Sequence, residues 1–174
     1  MKGLISSLAI VAIVGMAVAG ISQAYDEKSV TATVSVQYSA VSLNHPSFNY
    51  GSIPANNSST TLTLWLGAGI TATNDGSNSD FDIYGADSTG SSGGWDLSNA
   101  NNTGNNYMHK FCNTDSSCAS YPADYTAMSA GTVLLEADVD NAEGVTFQLG
   151  ITTPTVPTDL STQEAVVTIQ ASAN

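Results

Sequence analysis

The chain has 174 residues, with 15 acids against three basic side chains, and a formal net charge of −12 at pH 7. So acidic a surface repels nucleic-acid phosphates and anionic lipid headgroups, which argues against both as partners. Only 10% of residues are charged and 42% are hydrophobic, a balance that can bury a core and excludes the disordered class.

The first element is an apolar segment from Leu4 to about Ala24, behind Met1-Lys2. A basic start, an apolar core and the small residues of Ser22-Gln23-Ala24 have the layout of a secretory signal peptide, cut between Ala24 and Tyr25. A second reading keeps the segment. Lys2-Gly3 before Leu4 is similar to the very short leader of archaeal type IV pilins, cut between Gly3 and Leu4. That would leave an apolar helix to be buried in a filament core. A third reading is an uncleaved membrane anchor. Each places the rest of the chain outside the cytoplasm, at the cell surface or beyond it. The two cleaved readings expect no membrane contact of the domain after processing.

From residue 29 to 38, Val30, Ala32, Val34, Val36 and Tyr38 alternate with polar residues, the period of a half-buried strand. Residues 48–53 predict a shorter strand, ended by the turn Pro54-Ala-Asn-Asn-Ser. Residues 60–66 alternate again, with Leu62, Leu64 and Leu66 on one face, and 70–73 resume the pattern. Residues 74–79 have turn composition, and short strands are predicted over 81–83 and 95–97, separated by a Ser/Gly loop. Strands follow over 107–112, 125–128, 132–139, 145–151 and 165–171, with Pro154 and Pro157 in the last connection. No stretch beyond residue 25 has a helical period. The expected architecture is all-β, a single immunoglobulin-like Greek-key sandwich over residues 25–174, preceded by the apolar segment 1–24.

Cys112 and Cys118 lie close in sequence, and in an oxidising compartment they read as a disulfide closing a small loop. The competing reading adds His109, three positions earlier, to make a Cys-Cys-His metal cluster. Calcium is the other candidate ligand. The stretches 74–80 and 138–144 carry oxygen donors near glycine turns, led by Asp75, Asp80, Asp138 and Asp140, though neither fits the EF-hand spacing. No further cofactor is expected. Asn56, Asn57 and Asn101 open glycosylation sequons. No catalytic set is apparent: His45 precedes a proline in a turn, His109 sits within a predicted strand, and no Gly-x-Ser-x-Gly elbow occurs. The expectation is a protein that is not an enzyme.

Several segments together resemble a group of uncharacterised secreted immunoglobulin-like β-sandwich proteins of small-genome prokaryotes. They are Tyr50-Gly-Ser-Ile-Pro-Ala55, Trp95-Asp-Leu97, Tyr107-Met-His-Lys-Phe-Cys112, Ile151-Thr-Thr-Pro154 and the final Val-Thr-Ile-Gln-Ala171. The resemblance spans most of 29–172 and implies a fold and export, with no activity attached. The junction Gln23-Ala-Tyr-Asp-Glu-Lys-Ser29 is also similar to that of camelysin-type biofilm-fibre proteins, which form extracellular filaments by strand donation.

These readings support two functions of different class. The first is a structural subunit that polymerises with copies of itself, residues 25–38 donating a strand whose Val30, Val34 and Val36 fill a neighbour's groove. The second is a monomeric adhesion module, in which Trp95, Tyr107, Tyr121 and Tyr125 stack on sugar rings.

Overall fold

The computed structural model describes residues 33–34, 36–64, 69–114 and 118–174, and all its strands belong to the unit Ser35–Asn174. Among these residues the order is β1 (Val41–Leu43), β2 (Ser58–Thr60), the helical turn α1 (Thr61–Leu64), β3 (Ile70–Asn74) and β4 (Ser79–Gly85). There follow β5 (Asp96–Leu97), β6 (Asn106–Asn113), β7 (Thr126–Ala127), β8 (Val133–Val139), β9 (Gly144–Thr152) and β10 (Val167–Ala173). The protein is all-β in class.

Two sheets form. The larger runs β1-β3-β9-β6-β5, with β2 also on β9 and β7 also on β6; the smaller is β10-β4-β8. β9 is the axis of the larger sheet. Its first half pairs with β3 (Ile70 opposite Phe147) and its second half with β2 (Ser58 opposite Thr152). β6 covers its other side from Met108 opposite Thr152 to Asn113 opposite Phe147.

The alternation read in the sequence is what joins the sheets. β3 and β4 bury every second residue. Ile70 and Ala72 of β3, Phe81 and Ile83 of β4, Phe111 of β6 and Phe147 and Leu149 of β9 meet in one cluster with Leu135 and Val139 of β8. Each fully buried large apolar side chain of this set contributes about 1.5–3 kcal/mol by leaving water.

Three expectations change. Of the strand expected over 60–66, Thr61–Leu64 turn helically instead, and residues 65–66 lie outside the described residues. Thr61, fully buried, donates its Oγ1 hydrogen to Gln148 Oε1 at 2.6 Å and accepts from Leu149 N at 2.9 Å. This side-chain pairing to β9 replaces the backbone ladder that a strand would have made. Residues 48–53 form no strand either; Phe48 packs on the core and stacks edge-on with Tyr50 at 4.7 Å between ring centroids. Of the strand predicted over 29–38, the described residues 33–34 and 36–38 belong to no sheet.

Candidate functional site

A cleft of about 940 Å³ opens between the two sheets. Its floor is the inner face of the larger sheet, Ile70, Phe147, Leu149 and Ile151. One wall is the irregular connection 43–55, which presents Phe48, Tyr50 and Ile53; the other is the start of β10, with Val167 and Ile169, and the segment before it. The cleft exists because the smaller sheet has three strands facing a wider sheet. Beyond β10 no described residue supplies a further strand, so the smaller sheet ends there.

The outer wall is held by polar pins. Asp159, 3% exposed, accepts from Ser161 N (2.8 Å), Ser92 N (3.0 Å) and Ser161 Oγ (2.8 Å), and Trp95 Nε1 donates to its carbonyl oxygen at 3.0 Å. These donors, the Ser161 and Ser92 amides first, lower the Asp159 carboxyl to about pKa 2. Ser88 Oγ reaches Gln163 Oε1 at 2.8 Å. The loops 87–95 and 157–164 are thereby fixed to one another, and Leu160 (86% exposed) and Val166 (52%) stand bare at the rim.

His109 belongs to the cleft lining and is 1% exposed. Its Nε2 lies 2.9 Å from the Tyr50 hydroxyl, and its Nδ1 has no partner among the described residues. Burial holds the imidazole at about pKa 4 and raises the Tyr50 hydroxyl well above its ordinary value. The ring is therefore neutral at pH 7 and carries one unsatisfied buried nitrogen, a cost of about 1–3 kcal/mol. His109 is thus neither exposed nor fully satisfied.

At the other end of β10 the N-terminal segment is rooted. Ser77 N donates to Tyr38 O (2.8 Å), Tyr38 OH to Asp75 O (2.9 Å), Asp75 N to Ala40 O (3.0 Å) and Gln37 Nε2 to Asn174 O (2.8 Å). Gly76 is buried beneath this crossing, where a Cβ would lie 2.8 Å from Ala40 N, so only glycine lets the segment pass this close. Val34 and Val36, two of the three donor candidates, are 88% and 79% exposed. Val30 lies outside the described residues, as do both candidate cleavage sites, Ala24/Tyr25 and Gly3/Leu4.

The other sequence candidates scatter. Cys112 and Cys118 form the disulfide, with 5.7 Å between Cα atoms. Both thiols are thereby consumed, which removes the Cys-Cys-His cluster with His109. The two calcium candidate stretches do converge on one end of the molecule. Asp138 N donates to Asp80 Oδ1 (2.9 Å), Asn174 Nδ2 donates to Asp80 Oδ1 and Asp138 Oδ1 (3.0 Å each), and Asn78 Nδ2 donates to Asp140 Oδ1 (3.1 Å). Asp75 stands exposed on the adjoining β3–β4 turn. Among the described residues no three Asp, Glu, His or Cys side chains form a group able to hold a metal ion. Asn56, Asn57 and Asn101 are exposed on loops. Of the rings suggested for sugar stacking, Tyr107 and Tyr125 are buried and present no face to solvent.

No family model, curated protein or solved structure matches this chain. The cleft itself was not foreseen from sequence. Its walls come from residues more than a hundred positions apart, and the only local signal was the pair of prolines, Pro154 and Pro157, that keeps the chain before β10 out of a regular strand.

Proposed function

We propose that the protein is a structural subunit of an extracellular filament or cell-surface assembly, joined by strand pairing of residues 25–38 between copies. The single observation that carries this reading is the bare apolar face of the N-terminal segment. Val34 and Val36 are exposed although they continue a strict alternation with Val30, Ala32 and Tyr38. A strand of that pattern is stable only when its apolar face is covered. An immunoglobulin-like Greek-key sandwich suits the role, and the way β3 to β4, β8 to β9 and β9 to β10 cross between the two sheets favours that topology. Export is supported by the disulfide, which persists in oxidising compartments. Among the described residues no helix is long and apolar enough to cross a membrane.

The test is removal of residues 25–38 from the exported chain, with the signal segment joined directly to Ser39. Sedimentation and electron microscopy should show loss of polymer while circular dichroism keeps the β spectrum of the domain. Normal polymer from the shortened chain would end the strand-pairing reading.

A further inference from the structure

Strand pairing between copies requires an edge that receives the donated strand, and an acceptor site has meaning only within that assembly reading. The smaller sheet has two outer edges, and they are built differently. β8 pairs with β4 through two register shifts, between the pairs at Ser79, Phe81 and Asp82, and carries Glu136 and Asp138. Bulges and charges of this kind keep a foreign strand from adding to an edge. β10 pairs with β4 through seven unbroken positions from Val167 to Ala173. It has no charge, no proline and no bulge, and residues 165–173 as a whole are uncharged. An edge left so plain is a template for another strand.

The occupant is indicated by the same chain. Residues 29–38 are also uncharged. Two copies with a net charge of −12 each repel one another, and contact through two charge-free stretches is where that repulsion is least. The apolar faces also match in kind, since in an extended strand Val30, Val34 and Val36 would share one side, and the cleft wall on β10 carries the half-buried Val167 and Ile169.

Chain direction separates a second copy from self-closure. Gln37 is tied to Asn174, at the C-terminal end of β10. A segment running back from there along β10 of its own molecule would lie parallel to it, in a sheet whose β10–β4 and β4–β8 pairings are both antiparallel. A segment from another molecule has no such constraint and can pair antiparallel, the more stable ladder.

From these observations we infer that the cleft beside β10 is the acceptor for residues 30–38 of a second copy. The incoming strand adds to the free edge of β10 and its valines pack against the half-buried Val167 and Ile169 of the cleft wall. Leu160 and Val166 close over it from the rim.

Cysteine cross-linking of full-length exported chains tests this, since both native cysteines are bonded and among the described residues there is no free one. Val36→Cys is mixed with Val166→Cys, and separately with Leu134→Cys on the β8 edge. Disulfide-linked heterodimer should form at least tenfold faster in the first mixture, and an excess of synthetic peptide 29–38 should suppress it. Equal rates in the two mixtures would overturn the inference. So would rapid closure within single molecules of a Val30→Cys/Val166→Cys double variant at high dilution, which would mean the segment runs back along β10 and caps its own domain. Equal rates combined with loss of polymer on removing 25–38 would discard the cleft and keep the assembly reading. Normal polymer without 25–38 would discard both.

Discussion

The two sides of the two-sheet fold solve the same packing problem with different completeness. On the β8 side the sheets approach more closely: Leu135 and Val139 are buried, Asn113 Nδ2 ties β6 to Leu135 O (3.2 Å) and Glu136 Oε2 (2.6 Å), and the gap beside β8 is only about 180 Å³. On the β10 side Val167, Ile169 and Ala171 are only half-buried, and the space beyond them is the cleft. The β8 side leaves only a small gap, whereas the β10 side leaves a wider cleft with half-buried apolar residues along one wall. On the proposed assembly reading, stability and assembly would draw on separate halves of one core.

Core truncation should expose that separation most strongly. Phe81→Ala, at a fully buried site shared by both sheets, should cost about 3–5 kcal/mol. Ile169→Ala, on the half-buried cleft wall, should cost the domain only about 1–2 kcal/mol, because part of that side chain already faces water. Urea denaturation of the two variants measures the gap. Equal losses would mean the β10 side is as closed as the β8 side.

Acid should strike the open half first. The folded pKa of His109 is about 4, below the ordinary value of about 6.5 for an unfolded histidine. Between these values the unfolded chain binds a proton that the folded chain refuses. Its contribution is therefore present above pH 6.5 and is lost as pH falls toward 4, amounting to about 3 kcal/mol. Asp159 works in a separate window. Its depressed pKa favours the folded state above the unfolded carboxyl range, a contribution lost as pH falls toward 2. Stability measured from pH 7.5 to 4 should decline in the wild type and stay nearly level in His109→Gln. Parallel profiles would show that the imidazole is not the group responsible.

How much of the fold is readable in the sequence depends on how local the cause is. The strands at 70–73, 81–83, 107–112, 132–139, 145–151 and 165–171 were legible because period-two alternation is a property of a few consecutive residues. The cysteine loop was legible for the same reason. Residues 60–66 carried an equally good alternation, and Thr61–Leu64 still turned, because Thr61 found Gln148 and Leu149 far along the chain. No local pattern encodes that partner. The cleft was invisible for a related reason: β10 reads as an ordinary strand, and only its place at the edge of a three-stranded sheet leaves its apolar residues half covered. The burial of His109 beneath Tyr50 likewise depends on the 43–55 connection, which the sequence presented as a strand and a turn.

The smallest effect on stability should carry the sharpest distinction between the two edges. Val166→Lys and Leu134→Lys both change side chains that are already more than half exposed, so each should alter the isolated domain by no more than about 0.5 kcal/mol. Lysine is the informative replacement because it lowers the net negative charge. If association were governed by overall repulsion, both variants would polymerise more readily than wild type. If β10 receives the strand, Val166→Lys should reduce polymer at least tenfold despite the weaker repulsion, since a solvated ammonium at the rim opposes covering the cleft. Leu134→Lys, on an edge already guarded by bulges and acids, should leave polymer formation within about twofold of wild type. Sedimentation of the two variants at equal concentration decides between these outcomes, and equal behaviour would erase the asymmetry between the edges.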